Sequence, residues 1–254
     1  MISATAIYVL WLREMKRYVR AKSRIVGSLI MPLSFLAFLG MGFNRMAVPG
    51  VQSGTNYIMF LVPGIIGMTL LFSSTMQGLS VLWDREFGFL KEIMVAPVSR
   101  LSIVLGRIAG GTTTSLFQAV LLLVIAVILG FRVRAASDLF AALAFMILIA
   151  FTFIGLGLVF ASRMKDMQGF SLIMNFIIFP LFFLSGAFYP LQNLPWFIRS
   201  LSYLDPLTYG IDGLLAVLIR AHNFPLVVDF LAMGGFAALM LGLGAYFFEK
   251  SESV

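Results

Sequence analysis

LFAALAFMILIAFTFIGLGLVFAS, Leu139–Ser162, is a run of 24 residues without a charged side chain. At about 1.5 Å rise per residue, a helix of this length reaches about 36 Å, enough to cross the roughly 30 Å hydrocarbon core of a bilayer. Its apolar residues do not alternate with polar ones, so it does not read as a strand of a membrane barrel. Five further runs resemble it: Ile25–Phe43, broken only by Pro32; Tyr57–Leu82, with Pro63 near its outer end; Ile108–Phe131, which opens on the small residues Gly110–Ser115; Gln168–Phe188; and Phe230–Phe248. The pattern predicts an all-α integral membrane protein with six transmembrane helices.

The composition agrees. Of 254 residues, 61% are hydrophobic and 11% are charged, whereas soluble domains carry roughly 25% charged residues. A soluble enzyme, a disordered tail and a collagen-like chain are excluded. There are no cysteines, so disulfides and thiolate metal sites are excluded too. The net charge of +7 does not point to nucleic acid, because the basic residues are distributed by side of the membrane. With the N-terminus inside and six spans alternating, thirteen of the 18 Lys and Arg fall on the inner side. Only Arg45, Arg132, Arg134, Arg199 and Arg220 fall outside. This bias favours an even number of spans and a cytoplasmic position for both termini. No basic stretch precedes the apolar Met1–Leu10 and no small-residue cleavage site follows it, so no signal peptide is expected.

Two stretches fall outside the spans and are still rich in apolar residues. Over about residues 5–22, Tyr8, Trp11, Leu12, Met15, Tyr18 and Val19 share one helical face, with Arg13, Lys16, Arg17 and Arg20 beside it. Such a helix suits the headgroup plane, and an amphipathic interfacial helix is expected. Over about residues 190–220, Pro190, Pro195 and Pro206 punctuate a segment holding Trp196, Tyr203 and Tyr209. Together with Tyr189 at its start, it predicts short re-entrant helices on the outer side.

Candidates for chemistry are few. His222 is the only histidine and sits in an outer loop. Gly106–Gly111 is glycine-rich but lacks the Lys and the preceding strand of a phosphate-binding loop, so helix packing accounts for it better. No catalytic, cofactor or metal site is expected in this chain. The inner loop between spans two and three is more informative. It mixes Arg85, Glu86 and Glu92 with Phe87, Phe89 and Leu90 ahead of Pro97. This predicts a short amphipathic helix offering charge and apolar anchors to a soluble partner.

Three stretches carry a family resemblance: LVPG at Leu61–Gly64, DREFGFLKEIMVAPVSR at Asp84–Arg100, and LSGAFYPLQNLPWFIR with LDPLTYGIDGL within Leu184–Leu214. In this order on a six-span layout, the chain resembles the membrane subunit of ABC-2 type transporters, over about Thr5 to Lys250. The resemblance implies a single transmembrane domain over residues 1–254 that pairs with a second copy and with two copies of a cytoplasmic ABC ATPase. That ATPase would bind ATP and Mg²⁺. It also implies a coupling helix around Arg85–Glu92, an interfacial helix near the ATPase, contact with membrane lipid, and export across a bacterial cytoplasmic membrane. The cargo class it suggests is amphipathic, glycolipid or polysaccharide. A secondary transporter or an assembly protein without an ATPase is the alternative, and it would call for internal repeats or paired charges within the spans.

Overall fold

The computed structural model describes residues 3–43, 57–87, 98–133, 135–164 and 166–251. Among these residues the chain is helical, with no strand. Helix α1 (Ala4–Arg20) is followed at Ala21 by α2 (Lys22–Phe43). Then come α3 (Tyr57–Glu86), α4 (Arg100–Ile128), α5 (Ala136–Arg163) and α6 (Met167–Leu184). A short 3₁₀ turn (Leu191–Asn193) leads to α7 (Trp196–Ser202), α8 (Pro206–Ile219) and α9 (Leu226–Ser251). Six of these helices, α2–α6 and α9, are long and apolar enough to cross a membrane.

Local chemistry sets where several helices begin. Ser3 caps α1 by accepting from the Ala6 N–H, and Ser99 caps α4 by accepting from that of Ser102. Asp205 caps α8, which has Pro206 at its first position, where a missing N–H costs nothing. Two of the limits that differ from the hydropathy reading have evident local causes. Helix α4 starts at Arg100, ahead of Ile108, because Ser99 provides a cap and the polar first turns pack on α1. Helix α6 ends at Leu184 rather than at Phe188, because Gly186 turns the chain at φ 78°.

Helices α3 and α5 form the centre. Helix α5 packs most extensively on α9 and α3, and α8 wedges between α3, α5 and α9. Glycines allow the close approach. A Cβ on Gly78 of α3 would lie 2.5 Å from the Gly157 carbonyl carbon, and one on Gly155 would lie 2.5 Å from that of Met240. Helices α2, α6 and α9 leave most of their surface open, and that surface is apolar: Phe38 and Met41, Leu172 and Phe176, Val227 and Leu231 are exposed. A bundle with an apolar exterior and small residues at its interfaces is built for lipid. Many of the phenylalanines serve packing; Phe182 meets Phe188 at 4.7 Å and Phe72 at 6.2 Å.

Long-range contacts define two ends of the bundle. At one, Arg100 donates to the Glu249 carbonyl and Arg163 lies over the Phe247 ring. At the other, Tyr57 donates to the Phe188 carbonyl and Arg220 pairs with Asp138 at 2.8 Å.

Candidate functional site

At the first end, α1, α3 and α4 meet in a buried cluster of charge. Asp84 lies in the last turns of α3, Arg107 in the second turn of α4, and Arg13, Glu14 and Arg17 lie on α1. Arg107 Nη2 donates to Asp84 Oδ2 at 2.6 Å, and both side chains are almost wholly buried. Arg13 grips the same carboxylate with both terminal nitrogens, at 2.9 and 3.3 Å. Arg17 approaches it at 4.0 Å and donates to Glu14 at 2.7 Å. One carboxylate thus binds guanidinium groups from two helices, Arg13 in the forked geometry that makes such bonds strong and directional and Arg107 through Nη2, its Nε and Nη1 having no hydrogen-bond partner among the described residues. Asp84 stands three residues ahead of Phe87, where the segment expected to dock on a partner leaves α3.

Helix α1 is zipped along α4 in parallel. The Ser3 N–H donates to Ser102 Oγ at 2.9 Å, Trp11 Nε1 donates to Thr113 Oγ1 at 3.0 Å, and Tyr18 meets Phe117 edge-on at 5.9 Å. Between these contacts, Leu10 and Glu14 sit over Gly106 and Gly110, where added Cβ atoms would lie 2.8 Å from their side chains. The glycine-rich tract is therefore a seat for α1.

The expected site residues divide into groups. Trp11, Arg13 and Arg17 join the junction, while Lys16 and Arg20 are exposed and Met15 is half-buried. The face turned to the bundle is that of Leu10, Glu14 and Tyr18, so the Tyr8, Leu12, Met15 and Val19 face is directed away, with Tyr8 and Val19 exposed. Arg85 and Glu86 close α3. Phe87 is 81% exposed. Phe89, Leu90 and Glu92, and the short helix expected before Pro97, lie outside the described residues.

At the opposite end, Pro190 and Pro195 precede the 3₁₀ turn and α7, and Trp196 on α7 is 80% exposed. Tyr189 donates to the Phe183 carbonyl and Tyr209 to that of Tyr203. Helix α8 is buried along most of its length. Asp212, on α8, accepts from the backbone N–H groups of Asn223 and Phe224 and from the Asn223 amide at 2.7–2.9 Å, closing the loop into α9. Burial pushes its carboxyl up, against those hydrogen bonds. Burial likewise pushes the Asp205 carboxyl up to about 8, opposed by the bond from the Leu207 N–H.

Reading the sequence alone overlooked Asp84, Arg107 and Glu14 as a unit. Asp84 opened the quoted motif and Arg107 counted as an inner flank, yet nothing in the spacing of residues on separate helices joins them.

Six long apolar helices with an apolar exterior and a polar junction at one end define a multi-pass helical membrane protein. The profile described as ABC-2 type transporter matches residues 5–219, and the chain belongs to that family of transport permeases. It is 31% identical to the inner membrane transport permease YadH of Escherichia coli (strain K12) over 229 residues, 89% of this chain and 87% of that protein. It is 29% identical to the putative transport permease ycf38 of Porphyra purpurea, covering 77% of this chain and 67% of that one. Nodulation protein J of Sinorhizobium fredii (strain NBRC 101917 / NGR234) is 27% identical, with 80% and 77% covered.

Proposed function

We propose that the chain is the membrane subunit of an ATP-driven exporter in a bacterial inner membrane, working as two copies with two copies of a separate cytoplasmic ATPase that binds ATP and Mg²⁺. Both termini face the cytoplasm, and the segment from Arg85 to Glu92 docks on the ATPase. The cargo is amphipathic, a glycolipid or a polysaccharide. The observation that carries this reading is the Asp84 junction. It joins the root of the docking segment to α1 and α4, so a push delivered at Phe87 is handed to two further helices through buried ion pairs rather than lost in a loop.

A ligand or partner moves a conformational equilibrium only by binding one state better than another. ATP-driven closure of the ATPase pair supplies that preference, and the junction converts it into a displacement of α3 and α4 together. The outward apolar face of α1, with Lys16 and Arg20 nearby, suits a helix held against the bilayer surface beside the ATPase. The short helices between α6 and α9 form the outer lip of the path.

The test is co-purification with the ATP-binding subunit, followed by paired assays of ATP hydrolysis and transport in vesicles. The chain with Phe87→Ala is expected to leave hydrolysis running while transport falls at least several-fold. Transport and hydrolysis both equal to the parent's, or hydrolysis by the purified chain alone, would overturn the reading.

A further inference from the structure

A cavity of about 500 Å³ lies on the α2 side of α3, separate from the ion-pair junction. That is within the roughly 300–1,000 Å³ of small-molecule sites. Along α3 its wall runs from Met68 to Trp83 in helical steps, which is about 22 Å of helix. The cavity is therefore long rather than round. Gly27, Met31 and Trp83 are exposed at its rim, and Met68 is buried at its base. Met31, Met68 and Met76 give it flexible, polarisable walls that adapt to an apolar chain.

The polar groups select among apolar ligands. None of the fourteen lining residues carries a carboxylate, an ammonium or a guanidinium group. A charged ligand would lose its hydration there with no opposite charge in return. Most lining hydroxyls and amides are already engaged: Ser28 and Thr69 donate to carbonyls of their own helices, and Gln77 donates to Thr114 at 3.0 Å. Gln118 is different. It is 5% exposed and lines the cavity, and its Oε1 has no hydrogen-bond partner among the described residues. A buried amide oxygen left unsatisfied is costly. Rotation about the last side-chain bond, a soft torsion, presents the amide to a ligand.

We infer that this cavity binds an uncharged amphiphile, its apolar chain lying along α3 and a hydroxyl or amide group hydrogen-bonded to Gln118. Such a molecule is either cargo or a resident bilayer lipid. The binding claim stands apart from the transport reading, and only the choice between these two sources rests on it.

Trp83 at the rim reports occupancy. The full chain in nanodiscs is titrated with 12-bromododecan-1-ol and with 12-bromododecanoate at pH 8, and the bromine-quenched signal that disappears in Trp83→Phe is assigned to the site. The alcohol is expected to quench saturably and the carboxylate at least tenfold more weakly. Gln118→Leu is expected to weaken the alcohol roughly three- to tenfold, the effect of one buried hydrogen bond. Ser73→Phe, which puts a bulky ring on the cavity wall, is expected to abolish saturation. Non-saturable quenching, equal binding of both probes, or no effect of either variant would overturn the site. With the ATPase co-purified, release of the alcohol on adding ATP marks cargo and retention marks a resident lipid; both outcomes keep the site.

Discussion

Asp84 is the residue on which the junction depends, because it is the shared acceptor for Arg107 and Arg13. Removing its charge leaves the Arg107 guanidinium buried without its counter-ion, a change that costs about 3–5 kcal/mol where a buried pair is broken. Asp84→Asn is therefore expected to lower the melting temperature in detergent markedly, and Arg13→Ala, which removes a side chain that is itself 29% exposed, to lower it less. Replacing both members, Asp84→Asn with Arg107→Met, is expected to recover most of the loss, since no buried charge then stands alone. If the double variant melts below Asp84→Asn, the pair is not the reason. Asp205 makes a second prediction. Its folded carboxyl holds a proton up to about 8, whereas an unfolded Asp ionises near 3.9. The stability it contributes is full below about pH 4 and is lost as pH rises through about 8. Asp205→Asn retains the oxygen that caps α8 and cannot ionise. Melting curves from pH 5 to 8 are expected to fall less steeply for this variant than for the parent.

At the scale of elements, α1 carries the clearest test. Gly106 and Gly110 leave no room for side chains between α1 and α4. The parent chain has no cysteine, so cysteines placed at Ser3 and Ser102 report this contact alone. They are expected to cross-link on mild oxidation, and to lose most of that cross-link when Gly106→Leu and Gly110→Leu are added. An undiminished cross-link would mean that α1 is held by something other than the glycine seat. The same helix shows what was legible beforehand. Long uncharged runs identify the spans because lipid leaves a helix few alternatives. That α1 is amphipathic was also readable, but which face turns inward was not. The apolar face read from the sequence runs through Tyr8, Trp11, Leu12, Met15, Tyr18 and Val19 and only part of it meets the bundle; α4 takes Leu10, Glu14 and Tyr18, because two glycines on another helix and the carboxylate network decide the contact. Glu14 on a surface helix reads as solvated until a partner helix covers it. Likewise Asp84 and Arg107, 23 residues apart, become a pair only through the packing of α3 on α4.

The whole molecule has two chemically different ends. Around the junction gather Arg13, Lys16, Arg17, Arg20, Arg100, Arg107 and Arg163, while Arg199 and Arg220 belong to the end with Tyr57, Asp138 and α7. Basic residues collect on the cytoplasmic side of membrane proteins, which supports the proposed orientation with the junction end inward. Phe87 and Trp196 are both strongly exposed, and three long apolar helices, α4, α5 and α6, lie between them in sequence. An odd number of crossings puts the two residues on opposite sides. In a chain without native cysteine, Trp196→Cys is expected to react with a membrane-impermeant maleimide added to spheroplasts. Phe87→Cys is expected to react only after the inner membrane is permeabilised. Labelling of both from outside would mean that one of the three helices does not cross. A reversed pattern would keep the fold and turn the docking segment away from cytosolic ATP, and the proposed function would then be lost while the helical bundle stood unchanged.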